Sequence, residues 1–382
     1  MLLHCVSVGE ANAALPLATI LKKRFPDIAL VVSTTTRTGQ KVARERYLQL
    51  ADSVVYFPFD LGFAVRRFLR RFEPSVVLLT ETEIWPNFIR SAYKSNARVA
   101  IINGRLSERS FHRYSRVKGF LKRVFAYIDL GLMQTNGDAQ RIMALGMRGS
   151  KVKVTGNLKF DIAAAGNGEL TLEFRRRFAI GDGGPLIVAA STHAPEEQML
   201  LDAFKQIWKN QGSELLPRLM IVPRHPERFE EVTGLLRRSG FAFVRRSETP
   251  SPRDKSAEVI LLDSMGELNA MYPLAEIVFV GGSLIPHGGQ SIFEPAAAGK
   301  AIVTGPYTSN FEAAVEVFRS EEALIQLPDP SVNKLADALG EILADQERRQ
   351  TLGRNALAVI ESNRGAAERT LDYLASILDA KR

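Results

Sequence analysis

The sequence predicts an α/β protein made of two Rossmann-like, doubly wound domains, and three observations carry that expectation. Short apolar runs alternate with amphipathic helical stretches along both halves of the chain, the pattern of a parallel sheet flanked by helices. A length of 382 residues suits two such domains better than one. A small, polar stretch at 163–170 (AAAGNGEL) follows the last basic cluster of the first half and reads as a linker.

In the first half the alternation predicts strands at 2–8, 29–33, 53–56, 76–79, 99–102 and 130–134. Helices fall at 11–25, 39–50, 63–71 and 111–126. The second half repeats the theme, with strands at 186–190, 219–222, 259–262, 277–280 and 301–303. Its helices fall at 195–211, 227–239 and 291–298, and residues 331–378 read as mainly helical. The expected domains are 1–162 and 171–382, with the last helix free to pack back on the first. Sheets of this kind bind ligands at the carboxyl ends of their strands, and two such domains joined by one linker are expected to face a cleft.

Composition narrows the classes. With 46% apolar, 24% charged and 8% aromatic residues the chain is ordinary globular protein, too apolar for disorder. No window approaches the roughly 18 uninterrupted apolar residues of a membrane span. A single cysteine, Cys5, excludes a disulfide framework and a cysteine-based zinc site. The chain opens directly on a strand pattern with no cleavable signal, so a cytoplasmic compartment is expected.

Net charge is +8, unevenly spread: residues 1–161 hold 26 Lys/Arg against 12 Asp/Glu, and the remainder 24 against 30. A first half at +14 beside a second at −6 points to a polyanionic partner for the first, nucleic acid or an anionic membrane surface. A basic face kept for solubility accounts for charge alone equally well. Arg66, Arg67, Arg70 and Arg71 interleave with Phe63, Val65, Phe68, Leu69 and Phe72, a basic amphipathic helix suited to a membrane surface or, equally, to a core with a solvated basic face.

The loops after the strands hold the chemistry. Glu10 follows Gly9 at a helix start, where a carboxylate either complements the helix dipole or acts as a general base on a substrate hydroxyl. Glu81 and Glu83 lie in Thr80-Glu81-Thr82-Glu83-Ile84-Trp85-Pro86-Asn87. In an extended segment they would share one face; as a helix start they would be caps, with Trp85 an apolar anchor. Lys159 is placed to neutralise an anionic substrate group or to be a surface lysine. Arg105 opens a basic helical stretch.

In the second half Thr192 and His193, then Pro223, Arg224 and His225, follow strands, and Arg224 is a fixed cation suited to phosphate or carboxylate. His193, His225 and His287 come from three separate loops without an i,i+4 pair, which disfavours a metal. Gly281, Gly282 and Ser283, with Gly288, Gly289, Gln290 and Ser291, form two glycine turns, the second before a helix and suited to a phosphate. Neither matches a dinucleotide or ATP fingerprint. Glu294 stands at capping-box spacing from Ser291, or else accepts the hydroxyls of a ribose.

Taken in order, these segments resemble the 3-deoxy-D-manno-octulosonic acid (Kdo) transferases of lipopolysaccharide synthesis, glycosyltransferase family 30. The likeness runs through His4 with Ser7-Val8-Gly9-Glu10, Glu81-Thr82-Glu83-Ile84-Trp85-Pro86-Asn87, Asn103-Gly104-Arg105-Leu106-Ser107-Glu108-Arg109-Ser110 and Gly156-Asn157-Leu158-Lys159-Phe160-Asp161. It continues through Ser191-Thr192-His193, Pro223-Arg224-His225-Pro226, Met265-Gly266-Glu267-Leu268, 281–295 and Asn310-Phe311. Each piece alone is weak; the ordered series is specific.

The resemblance implies a GT-B fold and an inverting, metal-independent transfer of Kdo from CMP-Kdo to the lipid A precursor, lipid IVA, without a cofactor. It implies Glu10 as catalytic base and Glu81 and Lys159 as groups that stabilise the transition state. Pro223, Arg224, Met265, Gly266, Glu267, Ser291 and Glu294 would bind CMP. Glu83, Arg105, Thr192, Gly282 and Ser283 would line the donor or acceptor cleft. It also implies peripheral contact with the anionic leaflet at the cytoplasmic face of the inner membrane, and no nucleic-acid partner.

The sequence departs from the family in two places. The usual apolar N-terminal anchor is not read before the first strand, so membrane contact is expected to rest on the basic face. Ser291 stands where asparagine is usual, with one hydroxyl in place of an amide's donor and acceptor ends. Two other classes compete: a sugar-nucleotide 2-epimerase of the same fold, and a non-catalytic protein that binds anionic surfaces.

Overall fold

A computed structural model of the protein describes residues 1–161, 168–181, 184–210 and 216–378. The chain divides into two compact units. The first takes Met1–Asp161 and the chain from Asn363, and the second takes Ile162–Ser362. The expected linker falls outside the described residues as far as 167, and its last three residues open the helix Gly168–Phe178.

The first unit is a seven-stranded parallel sheet with order β3-β2-β1-β4-β5-β6-β7. Its strands are β1 (Leu2–His4), β2 (Val31–Thr34), β3 (Ser53–Tyr56), β4 (Val76–Thr80), β5 (Arg98–Gly104), β6 (Leu130–Met133) and β7 (Val152–Val154). Alternate residues of each strand bury opposite faces. Leu3, Leu78, Ala100 and Leu132 pack under the helix Val8–Arg24, whereas Leu2, Val77, Leu79, Val99 and Ile101 pack with Phe88, Leu121 and Phe125.

The final helix, Ala366–Leu378, belongs to this first unit. It buries Ala366, Ala367, Leu371 and Leu374 in the core beneath Val8–Arg24. Its amino end is capped by Asp161, whose carboxylate accepts the N–H groups of Gly365 and Ala367. Four orphan N–H groups start every helix, and a carboxylate there also meets the helix dipole.

The second unit repeats the architecture with order β10-β11-β9-β8-β12-β13-β14. Its strands are β8 (Leu186–Thr192), β9 (Arg218–Pro223), β10 (Phe243–Arg245), β11 (Val259–Leu261), β12 (Ile277–Val280), β13 (Ala301–Thr304) and β14 (Ile325–Gln326), again all parallel.

Local chemistry moves several expected boundaries. The first strand ends at His4, because Ser7 accepts the Glu10 N–H as an N-cap and the helix begins at Val8. The helix expected at 111–126 is two, Glu108–Ser115 and Lys118–Phe125, parted where Val117 leaves helical geometry (φ −118°, ψ 25°). Among the described residues no helix is long and apolar enough to cross a membrane.

Candidate active site

In a doubly wound sheet the loops diverge where the strand order reverses, and ligands bind there. In the first unit that point lies between β1 and β4. Glu10 follows β1 and Glu81 follows β4, so the topology brings them together. The Glu10 side chain is almost fully buried and accepts two hydrogen bonds, from the Val6 N–H (2.8 Å) and the Ser7 hydroxyl (2.9 Å). Ser7 in turn accepts the Glu10 N–H as the N-cap of the helix, while the Glu10 carboxylate reaches one residue further back, to the Val6 N–H. Burial pushes the Glu10 carboxyl up to about 7, with Glu81 and Glu83 adding to the rise and the Val6 and Ser7 hydrogen bonds opposing it.

Glu81 is not extended, as the alternation with Glu83 had suggested. It sits in the left-handed region (φ +58°), where a non-glycine residue is strained, and its N–H donates to the Ile102 carbonyl (2.8 Å). Its carboxylate pairs with the Lys159 ammonium at 3.3 Å. Glu83 accepts the Trp85 indole N–H (2.9 Å), and burial raises its carboxyl. Thr82 accepts the Arg105 N–H and donates to the Arg105 carbonyl, which locks the loops after β4 and β5 together.

Asn103, also left-handed (φ +52°) and fully buried, accepts the Leu158 N–H (2.9 Å) and so fixes the turn that presents Lys159. Asn103 and His4 both stand in the segments that carry the family resemblance, but neither structural role was read in the sequence. The buried His4 imidazole, held down to about 3 by burial, packs against Phe57, Trp85 and Phe88 behind the site.

The second unit reverses its strand order between β8 and β12. Here the organising residue is Glu196, three residues beyond His193. Its fully buried carboxylate accepts four backbone N–H groups, those of His193 (2.9 Å), Gly282 (2.7 Å), Ser283 (2.9 Å) and Leu284 (2.9 Å). The available signal was an acid in the first turn of a helix that directly follows a strand.

Thr192 and Ser283, expected to line a cleft, are fully buried and their hydroxyls are spent on the scaffold. Thr192 donates to Glu197 (2.8 Å), while Ser283 donates to the Val280 carbonyl (2.6 Å) and accepts the Gly305 N–H (2.8 Å). Gly282 adopts φ +67°, which glycine alone takes without strain.

Among the other expected nucleotide ligands, Pro223 ends β9 and Arg224 follows it, half-buried and without an ion-pair partner among the described residues. Met265 is exposed and Gly266 is left-handed (φ +84°). The Glu267 carboxylate is already engaged by Arg246 (3.0 and 3.1 Å) and Ser264; against the effect of burial, these hold it below the usual carboxylate range.

The capping box expected between Ser291 and Glu294 does not form. The helix Phe293–Ala297 has Ile292 at its N-cap, so Glu294 falls one position short of reciprocal bonding. One buried Glu294 carboxylate oxygen, Oε2, has no hydrogen-bond partner among the described residues. An unpaired buried acceptor is costly.

The family pattern of 3-deoxy-D-manno-octulosonic-acid transferase (kdotransferase) matches residues 1–162. The chain is 36% identical over 384 residues to the 3-deoxy-D-manno-octulosonic acid transferase of Haemophilus influenzae, covering 99% of this chain and 87% of that one. It is 33% identical over 376 residues to the enzyme of that name from Bordetella pertussis, covering 97% and 86%. Among solved structures it is similar to the UDP-GlcNAc 2-epimerase from Neisseria meningitidis bound to UDP-GlcNAc, with a TM-score of 0.63, 14% identity, and 98% and 99% of the two chains covered. That likeness shows the GT-B fold. On the sequence evidence, the chain belongs to the 3-deoxy-D-manno-octulosonic acid transferase family of glycosyltransferases.

Proposed function

We propose that the protein transfers Kdo from CMP-Kdo to the lipid A precursor, lipid IVA, with inversion at the anomeric carbon and Glu10 as general base. The observation that carries this reading is the Glu10 carboxyl, buried in the first turn of the helix that follows β1 and held at about 7. A base is most effective when its pKa lies near the working pH, because it is then both ionised and still basic. An acceptor hydroxyl gives its proton to Glu10 as its oxygen bonds to the anomeric carbon. The bond from that carbon to the phosphate oxygen breaks on the opposite face, and CMP leaves with the electron pair. Lys159 and Glu81 supply a fixed pair of opposite charges for the charge that develops on the sugar and its acid group.

In the second unit the donor nucleotide is assigned to the loops around Pro223, Arg224, Met265, Gly266, Ser291 and Glu294. The unpartnered Glu294 oxygen would accept ribose hydroxyls, and the Arg224 guanidinium would meet the phosphate. Glu267, held by Arg246, would shape the Met265 and Gly266 turn and not offer its carboxylate. No metal is assigned to any step. Peripheral contact with the anionic leaflet, at the cytoplasmic face of the inner membrane, belongs to the same proposal. Its support is the exposed Phe59, Leu61 and Phe63 beside the exposed Arg66, Arg67, Arg70 and Arg71.

The test is transfer itself: the protein, CMP-Kdo generated in situ and tetra-acylated lipid A precursor in detergent, with products weighed by mass spectrometry. The expected product is heavier by one or more Kdo residues. Glu10→Gln should lower kcat by about 10²–10⁴, the usual share of a general base, with CMP binding unchanged. Near-normal turnover by that variant would dismiss Glu10 as the base. Protein that binds CMP yet forms no heavier product would remove the acceptor assignment.

A further inference from the structure

Three imidazoles that the mechanism above does not use meet in the second unit. They arrive on separate loops, after β8, β9 and β12. The His193 ring lies 4.2 Å from that of His287 and 5.2 Å from that of His225, centroid to centroid. His193 is almost fully buried and the other two are exposed.

The loops are fastened from behind. Glu196 holds the N–H groups of His193 and Gly282. Gly289 donates to the Gly282 carbonyl (2.7 Å), Arg224 to the Thr192 carbonyl (3.0 Å), and the Asn310 amide to the His287 carbonyl (3.1 Å). Gly282 lies between two of the rings: a Cβ there would come within 3.4 Å of Cδ2 of both His193 and His287. The Gln290 amide meets His193 Nε2 at 3.1 Å; an amide N–H donating there puts the ring proton on Nδ1.

The charges around the rings are mostly positive. Burial first, then His287, His225, Arg224 and Arg228, holds the His193 imidazole down to about 4. Arg228 is committed to Glu197 and Glu231. On the acidic side, the exposed Glu227 carboxylate lies 3.8 Å from His225 Nδ1. Among the described residues neither His193 nor His287 forms an ion pair, and no group of three or more His, Cys, Asp or Glu side chains is arranged to hold a metal. A negative charge seated among the three rings would favour their protonated forms.

We propose that His193, His225 and His287, beside Arg224, form an anion site for the sugar-nucleotide donor, taking either its phosphate or the carboxylate of its sugar acid. The proposal rests on the donor reading above. An anion seated there favours imidazolium, so binding draws a proton from solution.

The exposed rings allow a test that leaves the core intact. A His225→Gln/His287→Gln variant is compared with the wild-type chain by titration calorimetry near neutral pH, in two buffers of different ionisation enthalpy. CMP and cytidine are the probes, with KM measured for CMP-Kdo generated in situ. If the phosphate is the ligand, CMP but not cytidine binds with proton uptake, and the variant loses the uptake and roughly tenfold in CMP affinity, as for a charge-assisted hydrogen bond. If the carboxylate is the ligand, CMP binding is unchanged and KM for CMP-Kdo rises by about the same factor. A variant that matches the wild type in CMP affinity, proton uptake and KM overturns the anion site while the donor reading stands. A wild-type chain that neither binds CMP nor consumes CMP-Kdo overturns both.

Discussion

Glu10 joins two demands in one side chain. As the third residue of its helix it donates its N–H to the N-cap Ser7 and accepts the Val6 N–H, and as a buried carboxyl it is held at about 7 instead of the ordinary 4.5. Two consequences follow from that rise. With Glu10 as the proposed base, transfer would need its ionised form, so kcat/KM should fall about tenfold for each pH unit below roughly 7; a flat profile down to about pH 5.5 would assign the base elsewhere. Stability runs the other way. Between the unfolded and folded values the native state binds the extra proton, so stability is fully present below about 4.5 and is lost as pH rises through about 7.

Glu10→Gln abolishes that dependence, and its amide can still accept the Val6 N–H while the Ser7 hydroxyl turns to suit. The variant should unfold with about 1–2 kcal/mol more free energy than wild type near pH 8, and with little difference near pH 5. Urea titrations at the two values decide it; an equal change at both would mean that Glu10 is not the titrating group. At this scale the sequence was readable where chemistry is local, as in Ser7-Val8-Gly9-Glu10. It was not readable at Glu81, whose left-handed turn depends on a hydrogen bond to Ile102, nor at Asn103, whose partner is Leu158.

At the scale of elements, the central strands announce themselves as continuous Val, Ile and Leu runs because both faces of a parallel sheet are buried. Three of the four edge strands, β7, β10 and β14, have two or three residues each and are only partly buried, so no apolar run betrays them; the fourth, β3, has four residues and was legible. The join between elements is least visible. Glu196 ties the helix after β8 to the loop after β12 through contacts that span 86 to 88 residues of sequence. Glu196→Ala would leave four N–H groups facing a buried void. Its loss should cost about 3–5 kcal/mol, more than any single neutral hydrogen bond accounts for. An unfolding free energy, measured by urea titration, that falls by less than a third of that would show that water replaces the carboxylate at little cost. The Ser291 and Glu294 spacing teaches the converse lesson: it has the right pattern for a capping box, yet the helix starts one residue late and Glu294 keeps an unpaired oxygen.

For the whole molecule, the uneven charge is the property that no single motif contains. The excess of +14 over residues 1–161 accompanies exposed apolar side chains in the basic segments themselves: Phe59, Leu61 and Phe63 before and within the helix Gly62–Phe72, and Val117 and Phe120 farther on. Only Val65 and Leu69 of that helix are fully buried, so its apolar pattern is not exhausted by the core. A soluble basic face does not need aromatic rings in the solvent, whereas a face that rests on lipid does. Each basic residue near an anionic leaflet contributes about 1 kcal/mol. Arg66→Glu with Arg70→Glu should therefore weaken binding to anionic vesicles by at least roughly 30-fold at about 0.1 M salt, where the Debye length is about 10 Å. The difference should shrink at about 1 M salt, where screening acts within about 3 Å. Phe63→Ser should lower adsorption to both neutral and anionic vesicles, because it removes apolar area and not charge. Co-sedimentation of the wild-type and variant chains separates the two contributions. Adsorption that ignores both the reversed charges and the salt would return the basic excess to the role of a solvated surface and leave the acceptor to be held by other residues.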